Sequence, residues 1–419
     1  MGEGELLEPS SSKTCSKAQK LQNILKTHEN LEIFEGKNSR LVRDGGELTL
    51  ADNGEKKVAR FRLRDPFIDG WPGHIRGPNV PPHACHAIAD AWKEACAAAG
   101  SSKILIPAGK FLAGIVNVTG PCKGAIEVEV QGTVQASPEL AGGMVGTLDG
   151  QGQVAWKGVS CDKDPKSCKK HPMNIRFNFI TKGLVRDITS LNSKYFHVNV
   201  LGCDDFTFEG FKVSTPEGSL NTDGIHIGRS KGVTISNAKI GTGDNCISIG
   251  DGIENLKITK VACGPGHGIS IGSLGKYKNE DPVSGITVSD CTLTGTTNGV
   301  RIKTWPAMFP NTATNIHFQD ITMENVSNPI IVDQMYCPWN KCNKKEPSKV
   351  KISDVSFKNI KGTSATALTV QLICSSGVPC EKVELANIDL TYSGPEGPAK
   401  SECIDVKPTI VGKIPEGCK

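Results

Sequence analysis

The sequence predicts an all-β protein, a solenoid of the parallel β-helix type that begins with a short capping helix. The 419 residues include 46 glycines but only 5% aromatic residues, which suits many short strands joined by tight turns. An apolar spacing of i, i+2, i+5 and i+7 recurs from about residue 183 onward. A chain of this length could form two average domains, but a single solenoid can also use it.

The repeat consists of two-residue alternation, a break and renewed alternation, which indicates a strand, a bend and a second strand. One such unit cannot bury its apolar face alone, whereas stacked units bury it together. This favours a parallel β-helix over a sandwich, and the L-x-x-L-x-L pattern of a leucine-rich repeat is absent. The seven predicted rungs are Phe206/Phe208/Phe211/Val213, Val233/Ile235/Ala238/Ile240, Leu256/Ile258/Val261/Cys263, Ile286/Val288/Cys291/Leu293, Ile316/Phe318/Ile321/Met323, Val350/Ile352/Val355/Phe357 and Val383/Leu385/Ile388/Leu390.

Three segments of different character precede the repeat. Residues 1–80 are polar and charged without sustained apolar periodicity, so we expect a poorly ordered N-terminal segment followed by one β-helix domain over residues 81–419. From Cys85 to Ala99, apolar residues at helical spacing predict an amphipathic helix that covers the open end of the stack. The segment ILIPAGKFLAG, residues 104–114, predicts two short strands around a turn.

Sixteen cysteines favour an oxidising compartment and disulfides. No paired C-x2-C cluster suggests zinc. The spacings Cys337/Cys342, Cys374/Cys380 and Cys403/Cys418 are typical of short-loop disulfides. The sequons at Asn117 and Asn325 fit a secreted glycoprotein.

The N-terminus does not match a secreted protein, because the segment MGEGELLEPSSSK lacks the apolar core of a secretory signal. Either the leader lies outside this sequence or the first segment does not belong to the mature protein. No 18-residue apolar run occurs, so we expect no membrane partner. The net charge of +4 permits an anionic partner, while the lack of basic runs interleaved with aromatics argues against nucleic acid.

Four motifs combine acids, a histidine and cations within the repeat: NTDG (221–224), GDN (243–245), GHG (266–268) and RIK (301–303). Residues one period apart in a solenoid lie roughly 4.8 Å apart on successive coils. Asp244 and His267 each lie 11 residues beyond a rung start, and Asp223 lies one coil earlier. Arg301 and Lys303 share one side of a strand. The spacing therefore predicts that all five side chains meet on one surface strip.

Such a strip suits hydrolysis of an acidic polysaccharide. Glycoside cleavage needs one carboxyl group that protonates the leaving oxygen and another that activates water or attacks carbon. Two neighbouring acids raise the pKa of one of them, and Arg and Lys can bind a sugar carboxylate.

Each motif taken singly also has a structural explanation. Asp and Asn in tight turns often bond only to their own backbone, and RIK can be a solvated strand face. The shared phase of the four motifs favours the functional interpretation. We interpret His226, which follows NTDG on a strand, as structural, and we expect Cys246 and Cys263 to form a disulfide beside the site.

The motifs NTDGIHIG, GTGDNCISIG, CGPGHGISIGSLG and GVRIKTW resemble those of the polygalacturonases, glycoside hydrolase family 28. The segments GPCKG, LDGQG, LNSKYFHVNV and QMYCP are similar to the plant pollen-type exopolygalacturonases. The resemblance covers residues 85–419. It implies a right-handed parallel β-helix and inverting, exo-type hydrolysis of α-1,4-galacturonan, without a metal or other cofactor. It further implies a monomer that is secreted to the cell wall and acts on pectin and polygalacturonic acid.

The resemblance also implies a role for each motif residue. Asp244 matches the general acid, Asp223 an aspartate that positions and deprotonates water, and His267 the histidine that supports the acid. Arg301 and Lys303 match the binders of the substrate carboxylate. Tyr336 and Asn221 are further expected to bind substrate.

Asn245 departs from the family pattern, which reads GDD where this chain reads GDN. Asn245 thus stands in the place of the second water-handling aspartate. An amide can hold a water but cannot take its proton. It also removes a negative charge beside Asp244, which should lower the pKa of that acid.

The sequence therefore leaves alternatives. The first is a polygalacturonase whose turnover is weakened by Asn245. The second is a non-catalytic pectin-binding β-helix protein. A rhamnogalacturonan hydrolase is a third, disfavoured because RIK suits galacturonate at the cleavage site.

Overall fold

The computed structural model describes residues 48–52, 56–61, 84–136, 146–156, 171–338, 340 and 342–418. The chain divides into two compact units, residues 1–149 and 150–419. Within the described ranges, no helix has both the length and the apolar character needed to cross a membrane.

The first unit consists of a helix and short strands. Its elements are β1 (Leu48–Asp52), β2 (Lys56–Phe61), α1 (Ala84–Ala97), β3 (Ser101–Ile106), β4 (Lys110–Ala113), β5 (Ile126–Val130), β6 (Thr133–Ala136) and β7 (Thr147–Asp149). Strand β3 pairs in parallel with β5, and β6 pairs in parallel with both β4 and β7. Helix α1 buries Ala91 and Ala95 against Ile104. The predicted helix and the two predicted strands of residues 104–114 are confirmed.

The prediction that residues 1–80 are poorly ordered lies mostly outside the described residues and stays a prediction. The two stretches that are described there are strands: β1 and β2 pair antiparallel, and β2 pairs in parallel with β3. Neither strand was predicted from the sequence. Three of the six residues of β2 are charged, which hides any apolar alternation.

The second unit is built from coils of three strands. Its elements are α2 (Gln153–Trp156), β8 (Ile175–Asn178), β9 (Thr181–Arg186), β10 (Thr189–Leu191), β11 (Val198–Leu201), β12 (Asp204–Glu209), β13 (Lys212–Ser214), β14 (Ile225–Gly228), β15 (Lys231–Ser236), β16 (Lys239–Gly241), β17 (Ile247–Ile249), β18 (Glu254–Thr259), β19 (Ala262–Cys263), β20 (Ile269–Leu274), β21 (Val283–Ser289), β22 (Thr292–Thr294), β23 (Asn298–Thr304), β24 (Asn311–Val326), β25 (Asn328–Asp333), β26 (Val350–Ser364), β27 (Leu368–Ile373), β28 (Glu381–Thr391), β29 (Lys400–Ile404) and β30 (Thr409–Val411).

Strands at the same place in successive coils pair in parallel and form three faces. Face A stacks β9, β12, β15, β18 and β21. Face B stacks β10, β13, β16, β19 and β22. The long strands β24, β26 and β28 continue both faces. Face C stacks β8, β11, β14, β17, β20, β23, β25, β27 and β29. The predicted parallel β-helix is therefore confirmed.

The register of the first five predicted rungs agrees with the pairing. Phe206 pairs with Val233, Leu256 with Ile286, and Ile286 with Ile316. The sixth predicted rung is wrong by five residues. Ile316 pairs with Val355, not with Val350, because β26 begins earlier and its apolar spacing repeats five residues further on. The seventh rung agrees, since Val355 pairs with Val383.

The break inside each rung is a residue whose backbone has the left-handed conformation. The fourth position after each rung start has a positive φ, which turns the chain from face A to face B; these residues are Gly210, Asn237, Lys260, Asp290, Asp320, Asn359 and Asn387. Gly, Asn and Asp tolerate this conformation best. The last three also form a ladder across the coils. Asn359 Nδ2 donates to Asp320 Oδ1 at 2.9 Å, and Asn387 Nδ2 donates to Asn359 Oδ1 at 3.1 Å.

Disulfides join short loops, and the four predicted pairings are confirmed. They are Cys246–Cys263, Cys337–Cys342, Cys374–Cys380 and Cys403–Cys418. A fifth, Cys96–Cys122, ties the end of α1 to the loop before β5. Among the described cysteines, Cys203 and Cys291 are buried free thiols.

Replacing Asn359 tests whether the left-handed bend stabilises the stack. Asn359→Gly keeps the φ of 52° accessible and loses only the ladder bonds, at a cost of about 1 kcal/mol. Asn359→Val adds left-handed strain, for a further cost of about 1–2 kcal/mol. The measurement is urea unfolding, with Thr322→Val on strand β24 as the control for introducing valine. Equal unfolding midpoints for the Gly and Val variants would contradict this explanation of the bend.

Candidate active site

The motifs NTDG, GDN and GHG lie in the turns that lead into β14, β17 and β20, three successive strands of face C. Ile225 pairs with Ile247, and Ile247 pairs with Ile269. All three isoleucines are fully buried. Two residues before each lie Asp223, Asn245 and His267, which therefore occupy the same position on neighbouring coils. Asp244 lies one residue before this column, so the predicted alignment of Asp244 with His267 is offset by one residue although the two touch.

Asn245 bridges the two acids, Asp223 and Asp244. Its Nδ2 donates to Asp223 Oδ2 at 3.2 Å and to Asp244 Oδ1 at 2.7 Å. Its backbone N–H donates to Asp244 Oδ1 as well, at 2.8 Å. Asp223 and Asn245 are each only 5% exposed. The two carboxyl groups are thus held together by one amide, and of the two acids Asp223 is shielded from water.

The side-chain amide oxygen of Asn245, Oδ1, is buried and accepts no hydrogen bond from any described residue. A rotated amide would place this oxygen against Asp244, an ionised carboxylate that repels it. The side-chain oxygen is therefore a free acceptor beside the acids. A buried free acceptor is costly unless a water or a ligand occupies it.

His267 lies against the other side of Asp244. Its Nδ1 is 3.3 Å from Asp244 Oδ1, and its backbone N–H donates to the Asp244 carbonyl at 2.7 Å. The imidazole is 41% exposed. It therefore connects Asp244 with solvent.

The two acids have opposite pKa shifts. Burial raises the pKa of Asp223 to about 7, and the negative charge of Asp244 adds to the rise. Burial also acts to raise the pKa of Asp244, but the hydrogen bond and charge of His267, the charge of Lys303 and the Asn245 backbone N–H outweigh it and lower that pKa. In the resting site near neutral pH, the proton of the pair therefore belongs mainly to Asp223.

Arg301 and Lys303 project from β23. On face C this strand pairs with β20, the strand that follows His267. Arg301 Nε donates to Ser270 Oγ at 3.2 Å. Lys303 is 7% exposed, and burial together with the nearby Arg301 charge lowers its pKa to about 8. Both cations lie over the Tyr336 ring, 5.9 and 5.0 Å from its centroid. The structure thus brings Tyr336 together with the two predicted cations.

Asn221 is the predicted site residue that the structure does not join to the others. It has a φ of 52° in the turn before Asp223. Its side chain forms no hydrogen bond with any residue that the structure describes.

The disulfide Cys246–Cys263 begins at the residue after Asn245. It fixes the turn that carries Asn245 to face B.

Three further residues adjoin the site without having been predicted. Ser248 on β17 forms a hydrogen bond that lowers the pKa of Asp223, and its Oγ lies 2.8 Å from His226 Nδ1. Burial raises the pKa of Tyr195, and the charges of Asp223 and Asp244 add to the rise. Asp333, at the end of β25, lies near both cations. Only the stacking of coils brings them here, so no local pattern in the sequence could identify them.

The contacts of His226 connect it to the acid through Ser248. Burial and the Lys303 charge lower its pKa to about 4, so the ring is neutral near physiological pH. It also lies 5.1 Å from the Phe196 ring, which stacks on Tyr195. These contacts give it a packing role that agrees with the structural interpretation from sequence.

Comparison with known proteins gives consistent matches. The profile of the glycosyl hydrolases family 28 matches residues 96–413. The exopolygalacturonase of Oenothera organensis is 53% identical over 352 residues, covering 79% of this chain and 97% of that protein. The polygalacturonase of Gossypium barbadense is 52% identical over 344 residues, covering 78% of this chain and 84% of that protein.

Solved structures share the fold at low sequence identity. The endo-xylogalacturonan hydrolase from Aspergillus tubingensis matches with a TM-score of 0.67 and 22% identity, covering 77% of this chain and 92% of that chain. The polygalacturonase from Erwinia carotovora matches with a TM-score of 0.54 and 21% identity, covering 79% and 98%. The fold is the right-handed parallel β-helix. Because the family profile covers most of the chain and relatives share about half of its residues, the protein belongs to the glycosyl hydrolases family 28.

Proposed function

We propose that this glycosidase hydrolyses α-1,4-galacturonosyl linkages in pectin and polygalacturonate, with inversion and from the chain end. The observation that supports this most strongly is the acid pair, with its opposite pKa shifts, next to two cations on the same face. Relatives named exopolygalacturonase support exo action. The cysteines joined in disulfides support a secreted protein of the cell wall. We expect it to act as a monomer.

The cations define how the sugar chain binds. Lys303 is buried and Arg301 is partly buried on the same side of β23, and a galacturonate carboxylate can pair with both. Tyr336 lies beneath them and offers an aromatic face to the same sugar. A sugar bound in this way would have its glycosidic oxygen beside the acids, which lie on the preceding coils.

The proposed chemistry assigns Asp244 as the acid and Asp223 as the base. Asp244 donates its proton to the leaving oxygen, and His267 supports that proton transfer. Asp223, when ionised, takes a proton from the attacking water, which the free Asn245 oxygen can hold by accepting a hydrogen bond. The resting site has the opposite arrangement, with the proton on Asp223. Turnover then proceeds from the minor form in which Asp244 carries it.

Asn245→Asp tests this account of turnover. A carboxylate at this position raises the pKa of Asp244 and adds a second base, so kcat on polygalacturonate should rise by about 10²–10⁴-fold with little change in KM. The readouts are reducing-end release and the size of the products, which exo action limits to units from the chain end.

Asn298→Asp is the matched control. Asn298 occupies the equivalent position one coil beyond His267, and its Nδ2 donates to the His267 backbone carbonyl at 3.4 Å, not to the acids. It should give no such gain. If Asn245→Asp does not raise kcat, the Asn245 amide is not what limits turnover. Binding of polygalacturonate without product from either protein would instead support the non-catalytic alternative.

The pH dependence of kcat/KM should show the titration of two separate groups, Asp223 and Lys303. With one proton needed on the acid pair, kcat/KM should fall by about tenfold per pH unit above about 7, where the raised pKa of Asp223 lies. Above about 8, loss of the Lys303 charge should weaken substrate binding and steepen the fall. Lys303→Arg keeps its charge at that pH, so the steeper part should disappear while the fall above about 7 remains. A profile that stays level through about pH 8 in both proteins would contradict the proton placement.

A further inference from the structure

A histidine and a serine on neighbouring coils form a pair beside the acid Asp223. His226 on β14 and Ser248 on β17 are direct partners in the parallel ladder of face C. His226 Nδ1 lies 2.8 Å from Ser248 Oγ. The Ser248 side chain also forms a hydrogen bond with the Asp223 carboxyl group, and it is only 4% exposed. The Ser248 hydroxyl therefore lies between the imidazole and the acid, shielded from water.

The single proton of the Ser248 hydroxyl determines the direction of both bonds. An ionised Asp223 can only accept, so the hydroxyl donates to it and accepts from His226 Nδ1–H. This arrangement needs a neutral imidazole with its proton on Nδ1. The ring is neutral because burial and the Lys303 charge lower its pKa to about 4. Among the described residues, none bonds to His226 Nε2, so no contact fixes the other tautomer.

The same type of pair occurs on face A without an acid. His317 Nδ1 on β24 lies 2.8 Å from Ser356 Oγ on β26, and His317 Nε2 lies 2.8 Å from Asn315 Oδ1. The amide oxygen only accepts, so Nε2 carries the proton there and Ser356 donates to Nδ1. A histidine–serine pair is thus compatible with a purely structural role in this stack. The pair on face C differs by its third member, Asp223.

We propose that Ser248 is a positioning residue for Asp223, and that His226 orients the Ser248 hydroxyl toward this acid. The inference rests on the proposed function, in which Asp223 is the base. A hydrogen bond donated to a carboxylate favours its ionised form. Ser248 therefore favours the reactive form of the acid pair, in which Asp244 carries the proton and Asp223 is free to take one from water. Neither Ser248 nor His226 needs to touch the substrate.

Charged and titratable groups from neighbouring coils also face these residues. Asp223 and His226 are faced by Asp244, Tyr195, Arg301, Lys303, Tyr336 and Asp251. Asn245 bonds to Asp223 as well, but it shares its amide with Asp244. Removing the Ser248 hydroxyl therefore acts on Asp223 while the contacts of Asp244 stay in place.

Ser248→Ala tests the proposal through the pH profile of kcat/KM on polygalacturonate. Loss of the donor should raise the pKa of Asp223 by about one unit, so the form with the proton on Asp244 becomes about tenfold rarer and kcat/KM near pH 6 falls about tenfold. Once both acids are ionised, protonation of Asp244 no longer competes with Asp223. The two proteins should therefore have equal kcat/KM by about pH 9.

Two serine variants serve as controls, with urea unfolding to confirm that each protein is folded. Ser248→Thr keeps the hydroxyl and should restore the wild-type profile. Ser356→Ala removes the hydroxyl of the acid-free pair on face A and should leave the profile unchanged. A purely structural effect of Ser248→Ala would lower kcat/KM by one factor at every pH, which would overturn the proposal.

The role of His226 has its own test. His226→Phe keeps a ring against Phe196 but removes Nδ1, so it should give the same pH pattern with a smaller, about twofold effect. His226→Asn keeps an N–H donor and should restore the profile. A shifted profile in Ser248→Ala together with an unchanged one in His226→Phe would overturn the role assigned to His226.

A ¹³C NMR titration of Asp223 gives a readout that does not need turnover. In Ser248→Ala, the midpoint of the Asp223 signal should move upward by about one pH unit. An unchanged midpoint would overturn this inference and leave the proposed function intact. A wild-type protein that is inactive on polygalacturonate but shows the shifted midpoint in Ser248→Ala would count against the proposed function only.

Discussion

In-register parallel stacking of the coils is the constraint on which the rest of the structure depends. Ile225, Ile247 and Ile269 pair directly and are fully buried, so the core fixes each coil against the next. Because side chains alternate along a strand, a slip of one residue would exchange buried and exposed positions. The same register places Asp223, Asn245 and His267 in one column. The site is therefore a consequence of core packing, and the disulfide beside Asn245 reinforces it.

Asn245 gives the site its particular electrostatics. With an amide between them, the two acids are joined by donated hydrogen bonds rather than separated by a third negative charge. Asp223, the more deeply desolvated acid, keeps the proton, while His267 and Lys303 keep Asp244 ionised. The arrangement favours a compact, well-bonded resting state. In the proposed mechanism, this arrangement opposes the protonation of Asp244 that cleavage would require, so a single amide would reduce turnover without disturbing the fold.

Much of this could be predicted from the sequence because solenoid periodicity is a local signal. The spacing of apolar residues predicted the coils, and the phase of the motifs predicted that Asp223, Asp244, His267, Arg301 and Lys303 meet. The sixth rung was misplaced because β26 contains the same apolar spacing twice, and only pairing with Ile316 distinguishes the two. Tyr195, Ser248 and Asp333 have no spacing in the sequence that marks them. They adjoin the site only because the coils stack, which no local pattern shows.

In the resting acid pair, the opposite pKa shifts assign the proton to Asp223 and not to Asp244. Titration of the protein labelled with ¹³C at the aspartate carboxyl carbons, followed by NMR, tests it directly. The Asp223 signal should titrate near pH 7, whereas the Asp244 signal should remain that of an ionised carboxylate to below its ordinary pKa. Substitution of each residue by Asn assigns its signal. An Asp244 signal that titrates near neutrality, with Asp223 ionised throughout, would contradict the account.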